Sequence, residues 1–146
     1  MELIYLSIDQ AIEIHARTVD ISGGGSHGLL DGGRLESVLE HIKNNEYYPE
    51  FLDKITHLFF CANKFHCFQD GNKRIAITLS AQFLLLNGYM YCTSDFIREM
   101  ENISYHLAAG KIDKELLRDL IDAVITQTID ENEALKLRLL QAIQVE

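Results

Sequence analysis

Tryptophan is absent from this 146-residue chain, and proline occurs once, at Pro49. Proline lacks an N–H and clashes with the preceding turn, so its scarcity leaves long helices unobstructed. The three cysteines, Cys61, Cys67 and Cys92, are odd in number and not spaced as close pairs. They argue against a disulfide framework and fit a reducing compartment, so a cytoplasmic location is expected. Apolar runs such as Leu84-Leu85-Leu86 fall far short of the roughly 20 residues that a bilayer-spanning helix needs, and no membrane association is expected. The N-terminus carries Glu2 and Asp9 and no basic region, unlike a signal peptide. Positive charge is also scarce. Thirteen Lys and Arg face twenty-two Asp and Glu, a net charge of -9, and direct nucleic-acid binding needs clustered cations that such a chain lacks overall.

What is present is enough apolar residue for one core, 47% against 24% charged. Ser7 and Gln10 form a capping box, from which a helix runs to about Thr18. The glycine-rich stretch from Gly23 to Gly33 reads as a loop, because its glycines lose too much backbone entropy in a helix. Leu29 and Leu30 inside it suggest either a short flap or residues tucked into the core. Leu35, Val38, Leu39 and Ile42 share one helix face. Asn44-Asn45 ends that helix. Pro49 opens another, with Leu52, Ile55, Leu58, Phe59 and Ala62 inward. Ile75, Ile77, Leu79, Ala81, Phe83 and Leu84 surround a helix that is apolar on nearly every side and therefore central. Asn87-Gly88 stops it. A short extended piece from Tyr89 to Cys92 is expected next, then a helix capped by Thr93 or Ser94 and stopped by Gly110. Asp113 caps another, with Ile112 placed to staple onto Leu117. A last helix is expected from Asp130 to about Ile143. The fold class is all-α.

Against the acidic background, His66-Cys67-Phe68-Gln69-Asp70-Gly71-Asn72-Lys73-Arg74 stands out. Its second half precedes the apolar central helix. The first turn of a helix presents unpaired N–H groups and partial positive charge. Gly71 permits close backbone approach, Asn72 offers an amide, and Lys73 and Arg74 add full charges, so the group suits an anion of phosphate size. Asp70 beside it can ligate Mg²⁺ together with phosphate oxygens, or can simply cap the helix; its neighbours favour the metal. Histidine is the commonest general base because its ordinary pKa lies near neutrality, so His66 can serve as one. A zinc site from His57, Cys61, His66 and Cys67 is the rival, but no standard spacing matches. The P-loop and dinucleotide fingerprints are absent.

These residues resemble the Fic/Doc family, whose motif reads H-x-F-x-(D/E/N)-(A/G)-N-(G/K)-R. It stands complete here in His66, Phe68, Asp70, Gly71, Asn72, Lys73 and Arg74. The resemblance extends to Gly28-x-x-Asp31 with Leu35 to Leu39 upstream, and to Phe83-Leu84-Leu85-Leu86-Asn87-Gly88 downstream. It covers residues 1–128 as one domain, with 129–146 a C-terminal helical extension packed on it. It implies a Fic-like bundle of about six to seven helices with a short flap near the active-site loop. Most Fic enzymes transfer AMP to a protein hydroxyl and carry Gly at the Lys73 position and a second Arg at the Ile77 position. Both departures resemble the death-on-curing branch, protein kinase toxins restrained by a separate antitoxin. The resemblance then implies His66 as base, Asp70 on Mg²⁺, Gly71, Asn72 and Lys73 as anion hole, Arg74 on a phosphate, and Leu29 and Leu30 at the flap. It implies ATP or another nucleoside triphosphate as donor and a protein substrate, a translation factor being the leading candidate. A homodimer is compatible with it. AMP transfer is the alternative activity, and a non-catalytic nucleotide-binding module the third. Family members are also restrained by an (S/T)-x-x-x-E-(G/N) helix. The near matches, Gln127 to Asn132 with Glu131 and Ile97 to Asn102 with Glu101, lack its Ser/Thr.

Overall fold

The structure, a computed structural model, describes residues 2–21, 28, 32–65 and 72–144. Among them are seven α-helices and no strand: α1 (Ile8–Ile21), α2 (Gly32–His41), α3 (Phe51–Lys64), α4 (Asn72–Leu86), α5 (Met90–Ala108), α6 (Lys114–Ile125) and α7 (Glu133–Gln144), with a 3-10 turn at Ile129–Glu131 between the last two. The expected all-α bundle is the observed one.

The helix starts follow local chemistry. Ser7 and Gln10 close their box reciprocally: Ser7 N donates to Gln10 Oε1 at 2.9 Å, and Gln10 N donates to Ser7 Oγ at 3.2 Å. Asp113 Oδ1 accepts from Leu116 N at 2.7 Å. Glu50 and Asp53 form a second box ahead of α3, immediately after the single proline. Helix ends are equally local. At the end of α4, Tyr89 N reaches Leu84 O at 3.0 Å while Gly88 adopts φ +89°, a left-handed conformation that L side chains resist. Gly110 ends α5 in the same way, at φ +79°.

Four boundaries differ from the sequence expectation. α1 continues past Thr18 to Ile21, where Thr18 and Val19 are buried and so extend the inward face. Helix α5 begins at Met90, with no extended piece before it. Thr93 is therefore inside the helix, and its Oγ1 donates back to Tyr89 O at 2.8 Å instead of capping. Gly32 and Gly33 belong to the first turn of α2, where N–H groups lack intrahelical partners in any case. The last helix starts later than Asp130, because Asn132 Oδ1 accepts from Leu135 N at 3.0 Å and caps α7 there.

Helix α4 is central as its composition requires, packing against α1, α3 and α5. Its Leu79, Phe83 and Leu84 are fully buried. Truncating such a leucine to alanine costs about 2–5 kcal/mol. Helix α3 hides a feature that periodicity does not reveal. Lys54 is 1% exposed, and its Nζ donates to Ile42 O at 2.7 Å and to Asn45 Oδ1 at 2.8 Å. It serves the C-terminal end of α2, where carbonyls lack partners and positive charge is favoured.

Candidate functional site

The N-terminal turn of α4 opens onto a cavity of about 470 Å³ bounded by α1, α4 and α5. Lys73 and Arg74 are exposed and line it. The first turn of α4 itself, from Asn72 on, carries no acidic residue, and a helix N-terminus bears partial positive charge. One turn further in, Ile77 is buried and forms an apolar wall, facing Ile97 of α5 and Ile21 of α1 across the cavity. Thr78 completes the α4 side: its hydroxyl donates to Arg74 O at 3.2 Å and lies 3.1 Å from Thr18 Oγ1. The lining is thus mostly apolar, with the cations Lys73 and Arg74 on α4 and the carboxylate Glu101 on α5. An anionic head on a larger body fits the cations and the apolar lining.

Of the residues expected from the sequence to form the site, Asn72, Lys73 and Arg74 fall at this turn. His66, Asp70 and Gly71, and the flap residues Leu29 and Leu30, lie outside the described residues. Of the two near matches to the restraining helix, Glu101 lines the same cavity as Arg74. Glu131 instead sits in the 3-10 turn packed on α6 and α7.

Sequence reading missed the walls contributed by α1 and α5. Thr18, Ile21 and Tyr105 carry no motif, and Ile97 only begins the near match to the restraining helix. The available signal was exposure of large apolar side chains, since Ile21, Ile97 and Tyr105 all remain open to solvent.

The rival zinc group divides. His57 and Cys61 lie one turn apart on α3, while His66 and Cys67 are outside the described residues. Cys61 Sγ is 3.5 Å from His57 Nε2 and 3.8 Å from Nδ1, so the sulfur rests near the ring face rather than on one lone pair. Lys114 Nζ contacts His57 Nδ1 at 2.7 Å. Burial, then the nearby charges of Lys114 and His41, push the His57 pKa down to about 4. Among the described residues, no three His, Cys, Asp or Glu gather as metal donors. No helix of the described residues is long and apolar enough to cross a membrane.

Comparison with known proteins identifies the family. A family model described as Fic/DOC family matches residues 5–84. The "Protein kinase doc" of Escherichia phage P1 is 27% identical over 121 residues, which cover 80% of this chain and 92% of that protein.

Proposed function

Since the chain belongs to the Fic/DOC family, we propose that it is a Doc-type protein kinase toxin. In this reading it moves a phosphate from ATP or another nucleoside triphosphate to a hydroxyl of a protein, a translation factor being the leading candidate. A separate antitoxin restrains it. One observation carries the reading: Lys73 and Arg74 stand exposed in the first turn of α4, lining a cavity large enough for a nucleotide's anionic end. The similarity to a relative named a protein kinase supports the choice of phosphate over AMP. So does the chemistry of two positions. Lys73 brings a charged side chain where AMP-transferring enzymes have glycine, and Ile77 makes an apolar wall where they have a second arginine.

His66 is assigned as the base that takes the target hydroxyl's proton. Gly71, Asn72 and Lys73 form the anion hole, and Arg74 grips a phosphate, for which its fork geometry suits it. Asp70 would hold Mg²⁺. A nucleotide-bound Mg²⁺ needs only one or two protein carboxylates, the remainder being phosphate and water oxygens, so one aspartate beside two cations fits it. The ion would neutralise charge developing on the transferred group. Leu29 and Leu30 are assigned to a flap that aligns the target segment. Residues 1–128 are assigned as the Fic/Doc domain, and 129–146 as an extension on α6.

The test uses ATP labelled at either the γ- or the α-phosphate, incubated with the protein and purified translation factors. Label passing to a factor from the γ-position alone is the expected result. Transfer of the α-label would replace the kinase reading with AMP transfer. Transfer of neither, with growth unaffected by expression, would favour a non-catalytic module.

A further inference from the structure

Two buried polar side chains sit behind the cation turn of α4. Asn63, on the last turn of α3, and Ser104, on α5, are each 1% exposed. Ser104 Oγ donates to the backbone carbonyl of Lys73 at 2.8 Å. Asn63 Nδ2 donates to Ser104 Oγ at 2.8 Å and to Ser104 O at 3.0 Å. The amide orientation follows from the network: two oxygens of Ser104 face it, one of them a carbonyl that can only accept, so the nitrogen must point there. With its proton committed to Lys73 O, the Ser104 hydroxyl has lone pairs left for Asn63. The three groups form one chain of hydrogen bonds running from α3 through α5 to the first turn of α4.

The location gives the chain its significance. Helix α3 ends at Lys64 and α4 begins at Asn72, so His66 to Gly71 lie in sequence between two points that are tied to the same serine. A network of this kind adds little net stability over apolar packing of the same shape. Replacing both partners of a buried hydrogen bond by apolar groups is commonly near neutral, whereas removing one leaves an unsatisfied group.

We propose that Ser104, oriented by Asn63, is a positioning residue for the phosphate site: it fixes the Lys73 backbone so that Lys73 and Arg74 present to the cavity together. The proposal rests on the assignment of this turn to nucleotide phosphates. The hydrogen bond from Ser104 to the Lys73 carbonyl constrains the turn's rotation about the α4 axis, and small displacements of charge-bearing groups have large effects on transfer rates.

The test compares Ser104→Ala, the paired Asn63→Leu/Ser104→Ala variant, and Thr93→Ala. Thr93 also makes a buried hydroxyl-to-carbonyl bond in α5, but at its opposite end. Three readouts are taken: thermal unfolding, phosphate-transfer kinetics, and calorimetric binding of inorganic pyrophosphate. Both variants lacking the Ser104 hydroxyl should lose about tenfold or more in kcat, with pyrophosphate affinity reduced severalfold. KM for the protein substrate should hold. Ser104→Thr, which keeps the hydroxyl, should recover part of both losses. Thr93→Ala should lose stability while its kcat stays within about twofold of wild type. The paired variant removes both polar partners, so it keeps the comparison valid if Ser104→Ala alone folds poorly. Wild-type kcat and pyrophosphate affinity in the paired variant would overturn the proposal, as would a parallel fall in Thr93→Ala. If wild type transfers no phosphate yet binds pyrophosphate, the kinase reading fails alone, and the affinities still decide the role of Ser104.

Discussion

The two ends of α4 are finished in opposite ways. At the C-terminal end the chain closes on itself. Asn87 Oδ1 accepts from Ile4 N at 2.8 Å, and its Nδ2 donates to Ile4 O and Phe83 O, both at 2.9 Å. Gly88 turns the backbone, and Tyr89 returns a hydrogen bond to Leu84. At the N-terminal end, the protein supports the helix from behind through Ser104 and Asn63 and leaves its front to the cavity. Two cations, Lys73 and Arg74, stand exposed there. Under the proposed function, the difference separates folding from function along a single helix. One terminus is closed by Asn87, Gly88 and Tyr89, and the other sets two exposed cations on the lining of a cavity.

The largest effect expected from breaking this contrast is at Arg74. Arg74→Ala should lower kcat/KM by about 10²–10³, the scale for removing one preorganised charge-stabilising donor. Because the side chain is exposed, the unfolding temperature should barely move. Steady-state rates and a melting curve check both halves. At the other end the sign reverses. Asn87→Ala removes three hydrogen bonds and should cost about 1–3 kcal/mol of stability by denaturant unfolding, leaving the rate per folded molecule unchanged. A loss of rate equal to that of Arg74→Ala would abolish the distinction between the two ends.

The contrast sharpens at positions 73 and 77. Lys73→Gly combined with Ile77→Arg should shift product from phosphate toward AMP, read by intact mass of the modified target. An unchanged product would move the determinant elsewhere.

The smallest effect lies away from α4 altogether. His57, held near pKa 4 by burial and by Lys114 and His41, binds its proton less readily folded than unfolded. Its contribution to stability is therefore full above about pH 6.5, the ordinary histidine value, and is lost progressively as pH falls toward 4. His57→Gln should flatten the dependence of unfolding temperature on pH in that window relative to wild type, while leaving transfer rates near neutral pH alone.

Much of the fold was legible because it is written locally. The Ser7–Gln10 box, the Asp113 cap and the Gly88 and Gly110 stops each depend on residues within one turn. The all-round apolarity of α4 announced its central place. The start of α5 was not legible: Thr93 resembles a cap in sequence, yet it sits one turn inside a helix and bonds backward to Tyr89. Lys54, Asn63 and Ser104 were hidden for a related reason. Each is a polar residue that a sequence assigns to the surface, and each is buried by partners far away along the chain. The cation pair of the site was visible as a motif. Its cavity was not, since α1 and α5 supply walls through contacts that no short pattern encodes.

The most direct measurement is an amide NMR titration of the protein with ATP, following both ends of α4 at once. The account predicts progressive shifts at Lys73, Arg74 and the side-chain N–H of Arg74, with Asn87, Gly88 and Tyr89 unmoved. Shifts concentrated at the Asn87–Tyr89 end, or none at Lys73 and Arg74 at saturating ATP, would contradict it.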